Sequence, residues 1–208
     1  MFDFHIHSNY SDGNASVQEI AKKAKERGIK RIAIVDHSIE LSFGLDEKKA
    51  RMREKEIELA REIYGLKIYS GIECGINNFG EIFLPDFDFE LIVISVHEDA
   101  HNYFERIIEC IENNEVHVVG HLLSTMFEFI RNCELEDIFL DKLEELGIAL
   151  ELNSNHRCPP DYFLEKCKER KLKISIGSDA HRLEKVGRIE WSIEKAKKYL
   201  WCAKFLEL

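Results

Sequence analysis

Short runs of β-branched and aromatic residues alternate with longer amphipathic stretches along the whole chain. Seven runs predict strands: Phe2–His7, Arg31–His37, Lys67–Ile76, Leu91–His97, Val116–His121, Ile148–Ser154 and Lys173–Asp179. Several are apolar at nearly every position, as in Ile32-Ala33-Ile34-Val35 and Leu91-Ile92-Val93-Ile94, which suits parallel strands covered on both faces. Helices are expected between them. The first follows Ser16, whose hydroxyl can cap it while Glu19 reaches back, and Val17, Ile20, Ala21 and Ala24 share one face. Gly28 suits a left-handed stop. Further helical patterns cover Asp46–Tyr64, His101–Asn113, Glu134–Leu146, Pro160–Lys171 and Ile189–Ala203, whereas Asn77–Glu90 reads as a hairpin or loop.

Strands joined by helical crossovers in 208 residues point to one α/β domain spanning residues 1–208, and to a closed, TIM-like barrel of seven parallel strands. A doubly wound open sheet is the rival, because periodicity does not report closure. The first turn has no Gly-x-Gly-x-x-Gly, which takes support from the dinucleotide-binding version of that rival. No linker, repeat or low-complexity segment interrupts the series.

Composition narrows the function. With 45% hydrophobic and 33% charged residues the chain can bury a core. No apolar run reaches the roughly 20 residues of a membrane span, and the first residues lack a secretory pattern, so a cytoplasmic location is expected. A formal charge of −10 opposes a broad nucleic-acid or membrane surface but allows a small anionic substrate held by local positive charge. The six cysteines contain no Cys-x-x-Cys pair and are expected reduced and mostly buried.

The chemistry lies in where the polar residues fall. His5 and His7 close the first strand, His37 the second, His97 the fourth and His121 the fifth; Asp179 and His181 follow the seventh. Glu73 sits late in the third strand, an unlikely place for an unpaired charge, and Asp12 lies in the first loop. In a parallel α/β barrel the C-terminal strand ends open on one face, where substrates bind. Six of the nine histidines therefore meet three carboxylates on one rim. Nine N/O donors exceed one tetrahedral zinc and suit two or three divalent ions sharing a carboxylate bridge. His101 and His117 fit no such pattern and read as structural.

These segments resemble the polymerase-and-histidinol-phosphatase (PHP) metallophosphoesterase family. The first motif is Asp3-Phe4-His5-Ile6-His7-Ser8 with Ser11-Asp12-Gly13, and the second is Val35-Asp36-His37. Gly71-Ile72-Glu73, Ser95-Val96-His97, Val118-Val119-Gly120-His121 and Ile176-Gly177-Ser178-Asp179-Ala180-His181 follow in order. The resemblance implies a distorted seven-stranded (β/α) barrel with a trinuclear site. It assigns His5, His7, Glu73 and Asp179 to a first ion, Glu73, His97 and His121 to a second, and Asp12, His37 and His181 to a third. Leu122-Leu123 departs from the Pro-Gly of many relatives. The resemblance also marks Arg157 as a phosphate clamp, and a planar guanidinium just beyond strand six suits phosphate oxygens on its own account. Asn153 is a candidate to orient a ligand or substrate, and His156 to protonate a leaving group.

The leading expectation is hydrolysis of a small phosphate ester, histidinol phosphate or a nucleotide phosphate, by a metal-bound hydroxide, with Glu73, Asp179 and Arg157 as catalytic groups. Zinc, manganese and iron all suit these donors. An amidohydrolase-like C–N hydrolase also begins with His-x-His, and a non-catalytic scaffold is the third possibility. The Glu73 bridge and the terminal Asp-x-His fit the phosphoesterase better. Ser124-Thr125 shows no evident base for a serine nucleophile.

Overall fold

In a computed structural model, residues 1–98, 102–125 and 131–208 are described. Eight strands stand where seven are expected. They are β1 (Phe2–Ile6), β2 (Arg31–His37), β3 (Lys67–Gly75), β4 (Leu91–Ser95), β5 (Val118–Val119), β6 (Ala149–Asn153), β7 (Lys173–Gly177) and β8 (Lys204–Phe205). They form one sheet in chain order, and every neighbouring pair is parallel. The sheet curls until its ends approach: Ile6 bridges Ala180, with His7 N–H donating to the Ala180 carbonyl at 3.0 Å.

The eighth strand corrects the expected C-terminal helix. That helix, α6 (Glu190–Tyr199), stops early, and the chain turns to lay Lys204–Phe205 beside the start of β7. The physical reason is an open edge. Since β1 reaches β7 only near Ala180, the start of β7 would leave its N–H and C=O groups unpaired. Lys204 and Leu206 N–H instead donate to the Leu172 and Ile174 carbonyls at 2.9 and 2.8 Å, while the Phe205 ring meets Phe2 at 5.5 Å.

Helices cross between most strands: α1 (Val17–Glu26), α2 (Glu47–Tyr64), α3 (Tyr103–Asn113), α4 (Cys133–Leu146) and α5 (Asp161–Lys166). The capping box of Ser16 and Glu19 opens α1 as expected. The expected helix Pro160–Lys171 is cut to the six residues of α5, followed by turns. Residues 77–90 hold neither helix nor strand. His101 lies outside the described residues.

Core packing explains the apolar strands. Ile32, Ala33, Ile34 and Val35 are fully buried, because one apolar cluster joins β1–β3 to α1 and α2, and a second joins the later strands to α3–α6. All six cysteines are free, four of them buried. Among the described residues no helix is long and apolar enough to cross a membrane.

Candidate metal centre

Parallel strands deliver their C-terminal ends to one side, and there the polar residues meet. Glu73, near the end of β3, is the hub. Five imidazoles stand 3.1–3.5 Å from its carboxylate: Nε2 of His5, His7, His97 and His121, and Nδ1 of His37. Asp179 Oδ1 lies 3.8, 3.6 and 3.4 Å from His5, His7 and His181. Asp12 lies 3.2 Å from His181 and 3.7 Å from both His7 and His37. All nine residues singled out as ligand candidates thus converge. His5, His7, Glu73 and Asp179 are 1–3% exposed, whereas Asp12, His97 and His181 have side chains 27–35% exposed and mark the open side.

The donor set fits divalent cations. His5 and His7 point Nε2 at each other across 3.1 Å, an arrangement natural for two lone pairs sharing a cation. His7 Nδ1 and His37 Nδ1 are buried without a hydrogen-bond partner among the described residues, though His37 Nδ1 lies 3.1 Å from Glu73, off the hydrogen-bond direction. Orphaned buried nitrogens are costly unless something else binds them. Metal–ligand bonds of about 2.1 Å imply donor–donor edges of about 3.4 Å in a tetrahedron. The separations here match that scale. Among the described residues three compact groups form: His7, Asp12, His37 and His181; His5, His7 and Glu73; and His37, Glu73 and His97.

A family model for the PHP domain matches residues 3–200. The chain belongs to the PHP domain family. It is 30% identical to a probable histidinol-phosphatase of Thermotoga maritima, over 96% of this chain and 92% of that one. It is 26% identical to the DNA polymerase/3′-5′ exonuclease PolX of Bacillus subtilis over 94% of its length, but spans only 37% of that longer protein. Among solved structures, a histidinol phosphate phosphatase from Lactococcus lactis, complexed with zinc, L-histidinol and phosphate, shares the fold with a TM-score of 0.74. Identity is 19%, with 98% of this chain and 95% of that one covered.

The PHP rim of this chain is braced by Glu151 and Asp36, neither of which is among the candidate ligands. Glu151 on β6 is 1% exposed; Oε1 accepts from His5 Nδ1 at 2.7 Å, and Oε2 accepts from His121 N–H at 2.7 Å and Asn153 Nδ2 at 3.0 Å. The signal was available, since a charge in the apolar run Ala149–Asn153 has the same oddity as Glu73. Asp36 accepts from Ser8 N–H, Ser8 Oγ and Ser11 Oγ, each at 2.7 Å, and from Arg53 Nη1 at 2.9 Å, so it ties the Asp12 loop to α2. Gly177 makes room for the first brace. A Cβ there would lie far inside contact with Glu151 Oε1 and 2.5 Å from His5 Cβ. Gly177→Ala is expected to cost about 1–3 kcal/mol, the usual range for overpacking, as measured by denaturant unfolding. An unchanged midpoint would show that the brace can move aside.

Three further candidates lie at the end of β6 (Asn153) and in the turn that follows it (His156 and Arg157). Asn153 donates to Glu151 and, at 3.3 Å, to Asp179, while its Oδ1 accepts from Asn155 and His156 N–H. Its amide is fully used: of the two expected partners it meets the candidate ligand Asp179, and no donor or acceptor is left for a substrate contact. His156 is drawn into the site rather than left in solvent: Nε2 lies 3.0 Å from Asp179 Oδ2, and Nδ1 lies 3.2 Å from Ser124 Oγ. Ser124 therefore does have an imidazole beside it, contrary to the sequence reading. Arg157 is exposed in the same turn at φ +54°, with no hydrogen bond or ion pair among the described residues. His117 is structural as expected, its Nδ1 accepting from Ile92 N–H at 3.1 Å.

Burial and charge set the protonation of the centre. Burial works to raise the Glu73 pKa, but His5, His97 and His37 outweigh it and hold the carboxyl well below its usual range. Burial likewise opposes the charged form of His5, yet Glu151, Glu73 and Asp179 lift that ring well above free imidazole. His181 is pushed up to about 9 by Asp12 and Asp179 against the effect of burial, whereas burial brings His37 down to about 4. A cation binding here must displace protons from His5 and His181, so its affinity rises with pH.

Proposed function

We propose that the chain is a metal-dependent phosphoesterase acting on small phosphorylated molecules, with histidinol phosphate and nucleotide phosphates as the classes to test. The observation that carries this reading is the buried Glu73 carboxylate ringed by five imidazoles, with Asp179 and Asp12 on its flanks. We assign His5, His7, Glu73 and Asp179 to one ion, Glu73, His97 and His121 to a second, and Asp12, His37 and His181 to a third. His7 also stands within reach of the third. Zinc, manganese or iron bound there would supply an activated water and neutralise phosphoryl charge.

The chain's own groups do the rest. Glu73 and Asp179 hold the rings at fixed separations. His156, aligned by Ser124 and Asp179, stands where it can pass a proton to a departing alcohol. Arg157, exposed beside it, offers a planar fork to phosphate oxygens. Arg157→Ala should lower kcat/KM roughly ten- to a hundredfold, equivalent to about 1.5–3 kcal/mol for a charge-assisted contact. Metal content should stay intact, and Arg157→Lys should restore only part. Wild-type kinetics in Arg157→Ala would return this side chain to the solvated surface.

The test of the function joins metal analysis of the purified chain to a phosphate-release screen over metabolites. Bound divalent ions with phosphate release from a monoester are expected. Turnover of amide or lactone substrates alone would favour the amidohydrolase-like reading, and a metal content near zero the scaffold.

A further inference from the structure

We infer that Glu151 is a positioning residue that locks the His5 imidazole with Nε2 free for a cation while fixing the backbone that carries His121. The inference rests on the metal-dependent reading of the site.

The argument starts from which donors face which oxygen. Glu151 Oε1 lies 2.7 Å from His5 Nδ1, so the Nδ1 proton is held there and the lone pair of Nε2 is directed at Glu73 and His7. Glu151 Oε2 accepts from the His121 backbone N–H at 2.7 Å and from Asn153. His121 has φ +21°, an uncommon value for a residue with a side chain, and that amide hydrogen bond helps to hold it. One carboxylate on β6 therefore disciplines a ring arriving from β1 and a backbone turn following β5. Neither Glu151 oxygen has a described contact with the other seven candidate ligands. Through Asn153, which donates to both carboxylates, Glu151 also reaches Asp179, a candidate ligand of the same first ion.

An amide cannot replace this carboxylate. In Glu151→Gln the carbonyl oxygen must take the place of Oε2, because two donors already point there. The NH2 group then faces His5 Nδ1, which has to accept. The ring proton moves to Nε2, and the lone pair needed by a cation is lost. Turning the amide over sets its NH2 against the two donors instead, which is costlier in a buried place.

The test uses the full chain stripped of metal with a chelator, then titrated with zinc in competition with a chromophoric chelator. Glu151→Gln is expected to weaken zinc binding roughly ten- to a hundredfold, the usual effect of losing an outer hydrogen-bond partner of a ligand. The loss should fall on the ions next to His5 and His121, while the ion next to Asp12, His37 and His181 keeps its affinity. Glu151→Asp, one methylene too short to span both partners, should show the same split. In the zinc-loaded wild type the His5 Nδ1 proton should give a downfield, slowly exchanging NMR signal that is missing from Glu151→Gln.

Exposed Glu145→Gln is the control and should titrate like the wild type. Wild-type zinc affinity in both Glu151 variants, or equal weakening at every ion, would overturn the inference. So would failure of both variants to fold, since Glu151 would then belong to the core rather than to the site. Failure of the wild type itself to bind zinc would instead bring down the reading of the site as a metal centre.

Discussion

Glu73→Gln is expected to abolish turnover and to strip the ions held around β3. Five imidazoles converge on this one carboxylate, so in the proposed centre it would carry the negative charge that lets cations sit close together. A single pair of unit charges about 4 Å apart is worth about 4 kcal/mol at an effective dielectric constant of about 20. That converts to about a thousandfold in rate. Divalent ions in direct contact make this a lower bound. Gln keeps the shape and can still accept from Ser95 Oγ, which donates to Glu73 at 2.6 Å, so the fold should hold. Metal titration should show loss of the ions shared by Glu73, with the one at Asp12, His37 and His181 less affected. Equal occupancy of all ions in the variant, with turnover within tenfold of wild type, would remove Glu73 from the bridging role.

The second large effect falls on stability. Arg53 and Asp36 are both fully buried, and besides Asp36 the guanidinium serves Ser70 Oγ at 3.2 Å and the Gly71 carbonyl at 2.6 Å. Arg53→Met leaves the Asp36 charge in the interior without its cation, a change that typically costs about 3–5 kcal/mol. Denaturant unfolding at neutral pH should read that loss. The pH dependence has a definite sign. Burial works to raise the Asp36 pKa, but Arg53 outweighs it and holds the carboxyl below its ordinary range. A lowered folded-state pKa gives stability that is complete above the ordinary Asp range and fades as pH falls through the folded value. The wild-type and Arg53→Met curves should therefore converge in acid. A constant gap down to low pH would assign the loss to packing rather than charge.

The two residues show what pattern reading reaches and where it ends. Strands such as Ile32–Val35 are legible because burial on both faces leaves no polar position. The rim is legible because a parallel strand order carries His5, His37, His97, His121 and Asp179 to one side. What escapes is set by partners far along the chain. Glu151 meets His5 across 146 positions, and Arg53, inside the charged sequence Arg51–Lys55, shows no local sign that it alone turns inward. The sequence sets Asn153 at the end of its strand and His156 in the loop beyond, but that both turn to Asp179 depends on hydrogen bonds that spacing does not encode. Strand β8 escapes for another reason: two residues carry no period, and only the unpaired start of β7 explains why the chain returns there.

The meeting of Ile6 with Ala180 has a consequence for how the protein comes into being. His5 and His7 flank one side of that contact and Asp179 and His181 the other, so the candidate metal centre straddles the joint between the first strand and a segment more than 170 positions later. Contacts that distant close late, after most loop entropy has been lost. Nearly the whole chain must have left the ribosome and folded before these side chains share a site. A nascent or truncated chain ending before β7 would display the His-x-His half without the Asp-x-His half that completes the centre. The amide protons of His7 and Ala180, which donate across the joint, are the probes that would time its completion in a hydrogen-exchange pulse experiment.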